Sequence, residues 1–251
     1  VNGIGGHFLA SIFGIVTPFC SCSSVPMFIA FVEAGIPVGV TLSFLITSPI
    51  VNEAAFAILL ASFGWEIAII YVVCGVIVGV VGGMVISLFK PKKWVESYVF
   101  EMKIGKDAEE QNFTQKDRLK WSWEQVSDIV KRVWYFVIIG IGIGAVIHGW
   151  VPDGALADHA GADNPFAVII AVLFGIPLYS NALGTIPIAE ALINKGVGIG
   201  TALAFMMSVT ALSLPEMIIL KKVIKPKLIA IFVATAGIGI ILVGYVFNLL
   251  I

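Results

Sequence analysis

Thr17-Pro-Phe-Cys-Ser-Cys-Ser-Ser-Val-Pro26 decides how the rest of the chain is read. Two of the three cysteines, Cys20 and Cys22, stand two apart in it, among Ser21, Ser23 and Ser24 and between Pro18 and Pro26. The flanks are apolar. A helix interior rejects proline, because the ring removes an amide donor and clashes with the preceding turn. In lipid, unwound backbone is tolerated only where protein or a water-filled cavity surrounds it. The stretch therefore predicts a helix broken at mid-membrane, with the break lining a cavity.

The composition supports a membrane setting. Hydrophobic residues make up 59% of the 251 residues and charged ones 12%, against roughly 25% charged in a soluble domain. The net charge of −1 offers no basic field for nucleic acid. Three cysteines are too few for a disulfide framework, so they read as free thiols. No Lys or Arg occurs before Lys90, whereas Lys90 to Asp128 carries charges of both signs and no long apolar run. The expected organisation is a first membrane repeat over 1–89, a cytoplasmic linker over 90–128 by the positive-inside rule, and a second membrane repeat over 129–251. Between Ile67 and Phe89, Gly75, Gly79, Gly82 and Gly83 are spaced for close helix contact.

Sliding the chain on itself by 161 residues lays Phe13-Gly14-Ile15 on Phe174-Gly175-Ile176, Pro26 on Pro187, Gly35 on Gly196, Gly39 on Gly200 and Phe44 on Phe205, with nine identities in 32 ungapped positions. The equivalent loops differ in charge: those of the first copy have no lysine, those of the second have Lys195, Lys221, Lys222, Lys225 and Lys227. The expected fold is thus all-α and polytopic, with two inverted structural repeats and broken or re-entrant helices at the midplane. Each copy is expected to hold a broken crossing helix, a shorter hairpin-like segment and a crossing helix. The helix Ile129 to Trp150 precedes the second copy and has no counterpart before the first, so the first repeat is expected to lack its opening helix.

Candidate site residues follow from the breaks. Ser24 and Thr185 each stand two residues before a matched proline and suit the N-cap of a half-helix. Pro18, Pro26, Pro49, Pro177, Pro187 and Pro215 are the expected helix breaks. On an extended segment Cys20 and Cys22 would face one side, and thiolates select soft ions such as Cu(I), Zn(II) or trivalent arsenic. They are therefore the candidate metal-binding pair. Cys74 reads as an apolar filler. Ser21, Ser23, Ser48, Asn52, Tyr179, Ser180 and Asn181 complete the expected substrate-binding set; the last three carry no sulfur, so a two-thiol site would be asymmetric. Glu53 and Glu216 follow polar stretches inside apolar runs, and an intramembrane carboxylate is a functional candidate by default. They are the candidates for proton coupling.

With the Thr17–Pro26 motif, Phe44-Leu45-Ile46-Thr47-Ser48-Pro49 and Asn52, and with Phe174-Gly175-Ile176-Pro177 and Ala189 to Phe205 in the second half, the chain resembles the bacterial and archaeal predicted-permease family that includes the organoarsenical efflux permeases. The resemblance implies a multi-pass inner-membrane permease exporting trivalent organoarsenicals or related thiol-reactive metalloids. No phosphate-cradling loop is present, so coupling to protons is expected rather than to a nucleotide. The expected partners are the bilayer, a small-molecule or ion substrate and a possible second copy of the chain, with no cofactor and no enzymatic activity. A permease for a small anion or sulfur compound is the alternative, and a membrane thiol redox relay ranks last because no His or Lys stands near Cys20 as a base.

Overall fold

The computed structural model describes residues 3–17, 21–51, 53–96, 99, 119, 123, 127, 166–178, 182–194 and 196–250. Every regular element among them is a helix apart from one isolated bridge. In order they are α1 (Ile4–Val16), α2 (Ser21–Glu33), α3 (Val38–Ile50), α4 (Glu53–Leu88), a 3-10 turn (Pro91–Trp94), α5 (Ala167–Gly175), α6 (Ala182–Asn194), α7 (Ile199–Ala211), α8 (Leu214–Leu220) and α9 (Pro226–Leu250).

Length sorts these helices. A helix rises 1.5 Å per residue, and the hydrocarbon core is about 30 Å thick. Among the described residues three segments are long and apolar enough to cross it: Phe63–Leu88, Ile199–Leu220 and Pro226–Leu250. In contrast, α1, α2, α3 and α6 have 13 residues each, about 20 Å by that rise, and are too short to cross alone; α7 has the same length but continues through α8 within Ile199–Leu220. Within α4 the backbone breaks at Gly64 (φ 84, ψ 172), a left-handed position that suits glycine because it has no Cβ.

Close contacts fix the directions. Gly39, Ser43 and Thr47 on α3, and Val51 just past its end, meet Ser87, Gly83, Gly79 and Gly75 on α4, so one index falls as the other rises and the helices are antiparallel. A Cβ at Gly83 would strike the Ser43 hydroxyl and come within 2.8 Å of the Gly39 carbonyl oxygen. The glycine spacing expected to allow close helix approach does so here. α1 runs parallel to α3: His7 pairs with Ser43, and Gly14 packs on the backbone of Phe44 and Ser48. α2 returns along α3 through a tight turn in which Gly35 (φ 84) and Ile36 donate to the Val32 and Phe31 carbonyls at 3.1 and 3.0 Å. The chain therefore reverses between α1 and α2, where the cysteine motif lies. This corrects the expected path. The described part of the motif, Ser21 to Pro26, opens the returning helix α2, and the next chain break falls between α3 and α4.

The second half repeats this geometry at the same offset of 161 residues. α6 and α7 begin 161 residues after α2 and α3. Gly196 (φ 91) and Val197 donate to the Ile193 and Leu192 carbonyls as Gly35 and Ile36 do in the first turn. Gly200 packs on Gly244 and Asn248 as Gly39 packs on Gly83 and Ser87. Gly14 and Gly175 each sit where a Cβ would stand 3.2 Å from the carbonyl oxygen of an equivalent phenylalanine, Phe44 or Phe205.

The long helices α4 and α9 join the halves. Val78 meets Gly239 and Gly82 meets Thr235, the register of an antiparallel pair. Their ends agree with it: Lys225 donates its amide to the Trp94 carbonyl at 2.7 Å, Glu96 donates to Val223 at 3.0 Å, and Val95 bridges Ile224. The end of α4 thus lies beside the start of α9, and exposed Lys90, Lys92, Lys93, Lys221, Lys222, Lys225 and Lys227 gather on one end of the molecule. The Gly35 turn lies at this lysine end, beside Ser87, while the Gly196 turn lies at the other, beside Asn248.

On their outer faces the long helices expose apolar stripes: Trp65, Ile69, Val73, Ile77 and Val81 on α4, and Ile238, Leu242 and Val246 on α9. The opposite faces bury Tyr71, Val78 and Ile86, and Phe232, Ile240 and Phe247. Exposed apolar stripes on helices long enough to span are what a bilayer covers. The chain is a membrane protein.

Candidate functional site

Each repeat supplies two chain breaks. In the first they fall between α1 and α2 and between α3 and α4; in the second, between α5 and α6 and between α7 and α8. α1, α2, α3 and α6, of 13 residues each, run to or from these breaks.

α2 starts at Ser21, three residues before the expected N-cap Ser24, and α6 starts at Ala182, three before Thr185. Ser24 and Thr185 are fully buried at equivalent places within the first turns. Cys22 therefore lies in helical backbone and not on an extended segment, which corrects the geometry argued for the thiol pair. Pro26 lies inside α2 and Pro49 inside α3, so neither is a break. Early in a helix a proline sacrifices only one backbone bond; at Pro26 the carbonyl of Cys22 loses its usual amide partner. Pro187 falls within α6 in the same way, whereas Pro177 follows the end of α5 and Pro215 opens α8. Pro18, Cys20, Asn52, Tyr179, Ser180 and Asn181 lie outside the described residues, as do the side chains of Ser21, Cys22, Ser23 and Glu53.

The carboxylates sit where the chain resumes after its second break. Glu53 is the first residue of α4, and Glu216 lies in the first turn of α8, 1% exposed. The positive end of a helix favours an acidic group there. Ser48 is fully buried one turn before the α3–α4 break. The halves cross-pack: α8, carrying Glu216, lies against α2, and α6, carrying Thr185, lies against α4. Among the described residues no cluster of three or more His, Cys, Asp or Glu could hold a metal ion. Cys74 is half-buried on α4 and lines an apolar cavity of 470 Å³ with Thr235, in keeping with a filler role.

Sequence reasoning missed a polar seam in the first repeat. His7 on α1 is buried, and its Nδ1 is hydrogen-bonded to Ser43 Oγ at 2.7 Å. Ser11 and Thr47 hydroxyls crowd the place where Gly79 has no side chain. His7 also lines a 560 Å³ cavity at the lysine end, with Glu33, Ser87, Lys90 and Lys92. The available signal was a histidine within an otherwise apolar run, at a position where the second copy has Val168.

Interrupted helices buried among lipid-facing ones, with buried hydroxyls and a carboxylate at the interruptions, define a polytopic membrane protein of the permease class. The chain belongs to the ArsP_1 predicted-permease family, whose model matches residues 2–249. A UPF0718 protein of Methanocaldococcus jannaschii is 22% identical, over 87% of this chain and 75% of its own. The UPF0718 protein YraQ of Escherichia coli is 24% identical, over 95% of this chain and 66% of its own. A Streptococcus mutans protein named as a subunit of a two-component membrane permease complex is 22% identical, over 96% and 79%. No solved structure matches.

Proposed function

We propose that the protein is a secondary efflux permease of two inverted repeats, moving a thiol-reactive trivalent metalloid or soft metal species from the lysine side outward. The observation that carries this reading is the recurrence of the hairpin and the interrupted helix at one offset, with their turns at opposite ends of the molecule. In this reading the two hairpins enter from opposite faces, with the α1–α2 and α5–α6 reversals directed toward the membrane interior. Inverted repeats with discontinuous helices at the midplane are the architecture of alternating access.

In this reading Cys20 and Cys22 hold the soft centre, since thiolate is the ligand such ions prefer. Ser21, Ser23, Ser24 and Ser48 with Asn52 line the first half of the pathway, and Tyr179, Ser180, Asn181 and Thr185 give the second half oxygen and nitrogen contacts only. Glu53 and Glu216 exchange protons during the cycle. The linker 90–128 is cytoplasmic, because seven lysines gather on the end from which it departs. The membrane is the inner one, and a second copy or a partner subunit is compatible with the two-component name of the Streptococcus mutans relative.

The test is transport in inside-out vesicles with a trivalent phenylarsenical as probe. Cys20→Ser and Cys22→Ser should each reduce accumulation at least tenfold, and Cys74→Ser should leave it unchanged. If both serine variants transport like the parent, the thiols do not bind the substrate. Competition by thiosulfate without protection by the arsenical would move the substrate to the anion class.

A further inference from the structure

The repeat supplies an internal control for the polar seam. At the positions of His7, Ser43 and Ser11 the second half has apolar residues. Position 7 corresponds to Val168, 43 to Ala204 and 11 to Val172. Gly83 packs on Ser43, and Gly244 packs on Ala204 and Val168 in the same manner. The fold therefore does not require a histidine or serines here, yet it buries them. Ser11 Oγ has no hydrogen-bond partner among the described residues, and its side chain is fully buried. The seam opens at one end into the 560 Å³ cavity on the lysine side, large enough for several waters. At its other end α1 leads directly into the cysteine hairpin tip.

We propose that His7 is a proton-binding site on the lysine side of the permease, distinct from Glu53 and Glu216, and that its charge state sets how α1 sits on α3. Ser43 engages Nδ1 and holds the ring in the seam. With Nδ1–H donating to Ser43 Oγ, Nε2 is the nitrogen that takes a proton from hydronium in the cavity and returns it to water there. Among the described residues the charged groups around the cavity are Glu33 on α2 and Lys90 and Lys92 beyond α4; α3 presents none, and α4 sets Gly79, Gly83 and Ser87 against the seam. A cation on the ring is drawn to Glu33 and repelled by the lysines, so protonation pulls the start of α1 across the cavity and shifts the hairpin that α1 carries. This proposal rests on the permease reading for its purpose, but not for its test.

The experiment needs no substrate. The full chain is placed in nanodiscs with ring-labelled histidine, and His7→Gln identifies the His7 signal among the three histidines. The His7 ring should titrate reversibly as the pH is lowered from 8 to 4, and Ser43→Ala should displace its midpoint. In a Cys20→Ser, Cys74→Ser background, Cys22 labelling by a maleimide should show a pH-dependent step at the same midpoint, absent in His7→Gln. Thiol ionisation affects both proteins alike and cancels in the comparison; thermal melting confirms that both are folded. A His7 signal that does not move over this range, or Cys22 profiles identical in the two proteins, overturns the proposal. Failure of the arsenical transport test leaves both of these readouts intact, so the two readings fail separately.

Discussion

The α3–α4 seam of the first repeat and the α7–α9 seam of the second follow one backbone path with different chemistry. In the first, Gly39 faces the Ser87 side chain, Ser43 faces Gly83, and His7 closes the row on a cavity. In the second, Gly200 faces the backbone of Gly244 and Asn248, Ala204 faces Gly244, and Val168 closes the row. The polar residues there are bonded locally: Asn248 accepts from the Gly200 amide at 2.8 Å and donates to Thr201 Oγ1 at 3.1 Å. Glycine positions set how close the helices come, and the residues between them are free to differ. Two halves that share a frame thus differ at three seam positions: His7, Ser11 and Ser43 in the first, Val168, Val172 and Ala204 in the second.

The comparison is tested most severely at the carboxylates. Glu53 and Glu216 each start the helix after the second break of their repeat. If both halves take part in coupling, Glu53→Gln and Glu216→Gln should each lower proton-driven accumulation of the arsenical probe by tenfold or more while sparing its exchange. Exchange separates net proton movement from substrate binding. Loss in one variant alone would make coupling a property of one repeat, as the thiols already are.

The next largest effect separates the seams by stability. A Cβ at Gly200 would meet the Gly244 carbonyl oxygen and come within 2.7 Å of the Asn248 backbone nitrogen, and backbone cannot step aside. At Gly39 the nearest obstacle is the Ser87 hydroxyl, with Gly83 O at 3.2 Å. Overpacking of this kind costs about 1–3 kcal/mol or more, and Gly200→Ala should lie at the upper end. Adding Ser87→Ala should recover part of the Gly39→Ala loss, whereas Asn248→Ala should recover nothing for Gly200→Ala. Melting in detergent measures both pairs. Equal losses with equal rescue would mean that the second seam opens as readily as the first.

Much of this frame was legible in the sequence, and the reason is physical. Glycine and proline act through the backbone, so Gly35 over Gly196 and Gly39 over Gly200 marked real equivalences in turns and crossings. Lysine position marked one end of the molecule, because residues 94–96 meet 223–225, but it did not sort the turns: the Gly35 turn, without a lysine, lies at that end, and the Gly196 turn, which follows Lys195 in sequence, lies at the other. The helix starts were less legible. Pro26 and Pro49 read as breaks, yet each lies inside a helix, since a single missing amide is tolerated where neighbouring elements enclose it. The path at the cysteine motif was misread for a related reason: a broken helix and a hairpin tip share a composition, and only the contacts of α1 and α2 with α3 distinguish them. The polar seam escaped notice because His7, Ser11 and Ser43 lie far apart in sequence and meet only through helix packing.

The smallest effect is the most diagnostic for that seam. Ser11 Oγ is buried, with no hydrogen-bond partner among the described residues. A hydroxyl buried dry bears its desolvation cost with nothing in return, so Ser11→Ala in a dry seam should be neutral or stabilising, by up to about 1 kcal/mol. If water reaches along the seam from the cavity, the hydroxyl has a partner, and the same substitution should cost about 0.5–1.5 kcal/mol, as the loss of an ordinary hydrogen bond does. In the second repeat, Ser208 Oγ provides the reference, because it donates to the Val172 carbonyl at 2.7 Å; Ser208→Ala should be destabilising. A Ser11→Ala melting temperature below that of the parent would therefore identify the first seam as hydrated, and one at or above it would confine water to the cavity mouth at His7.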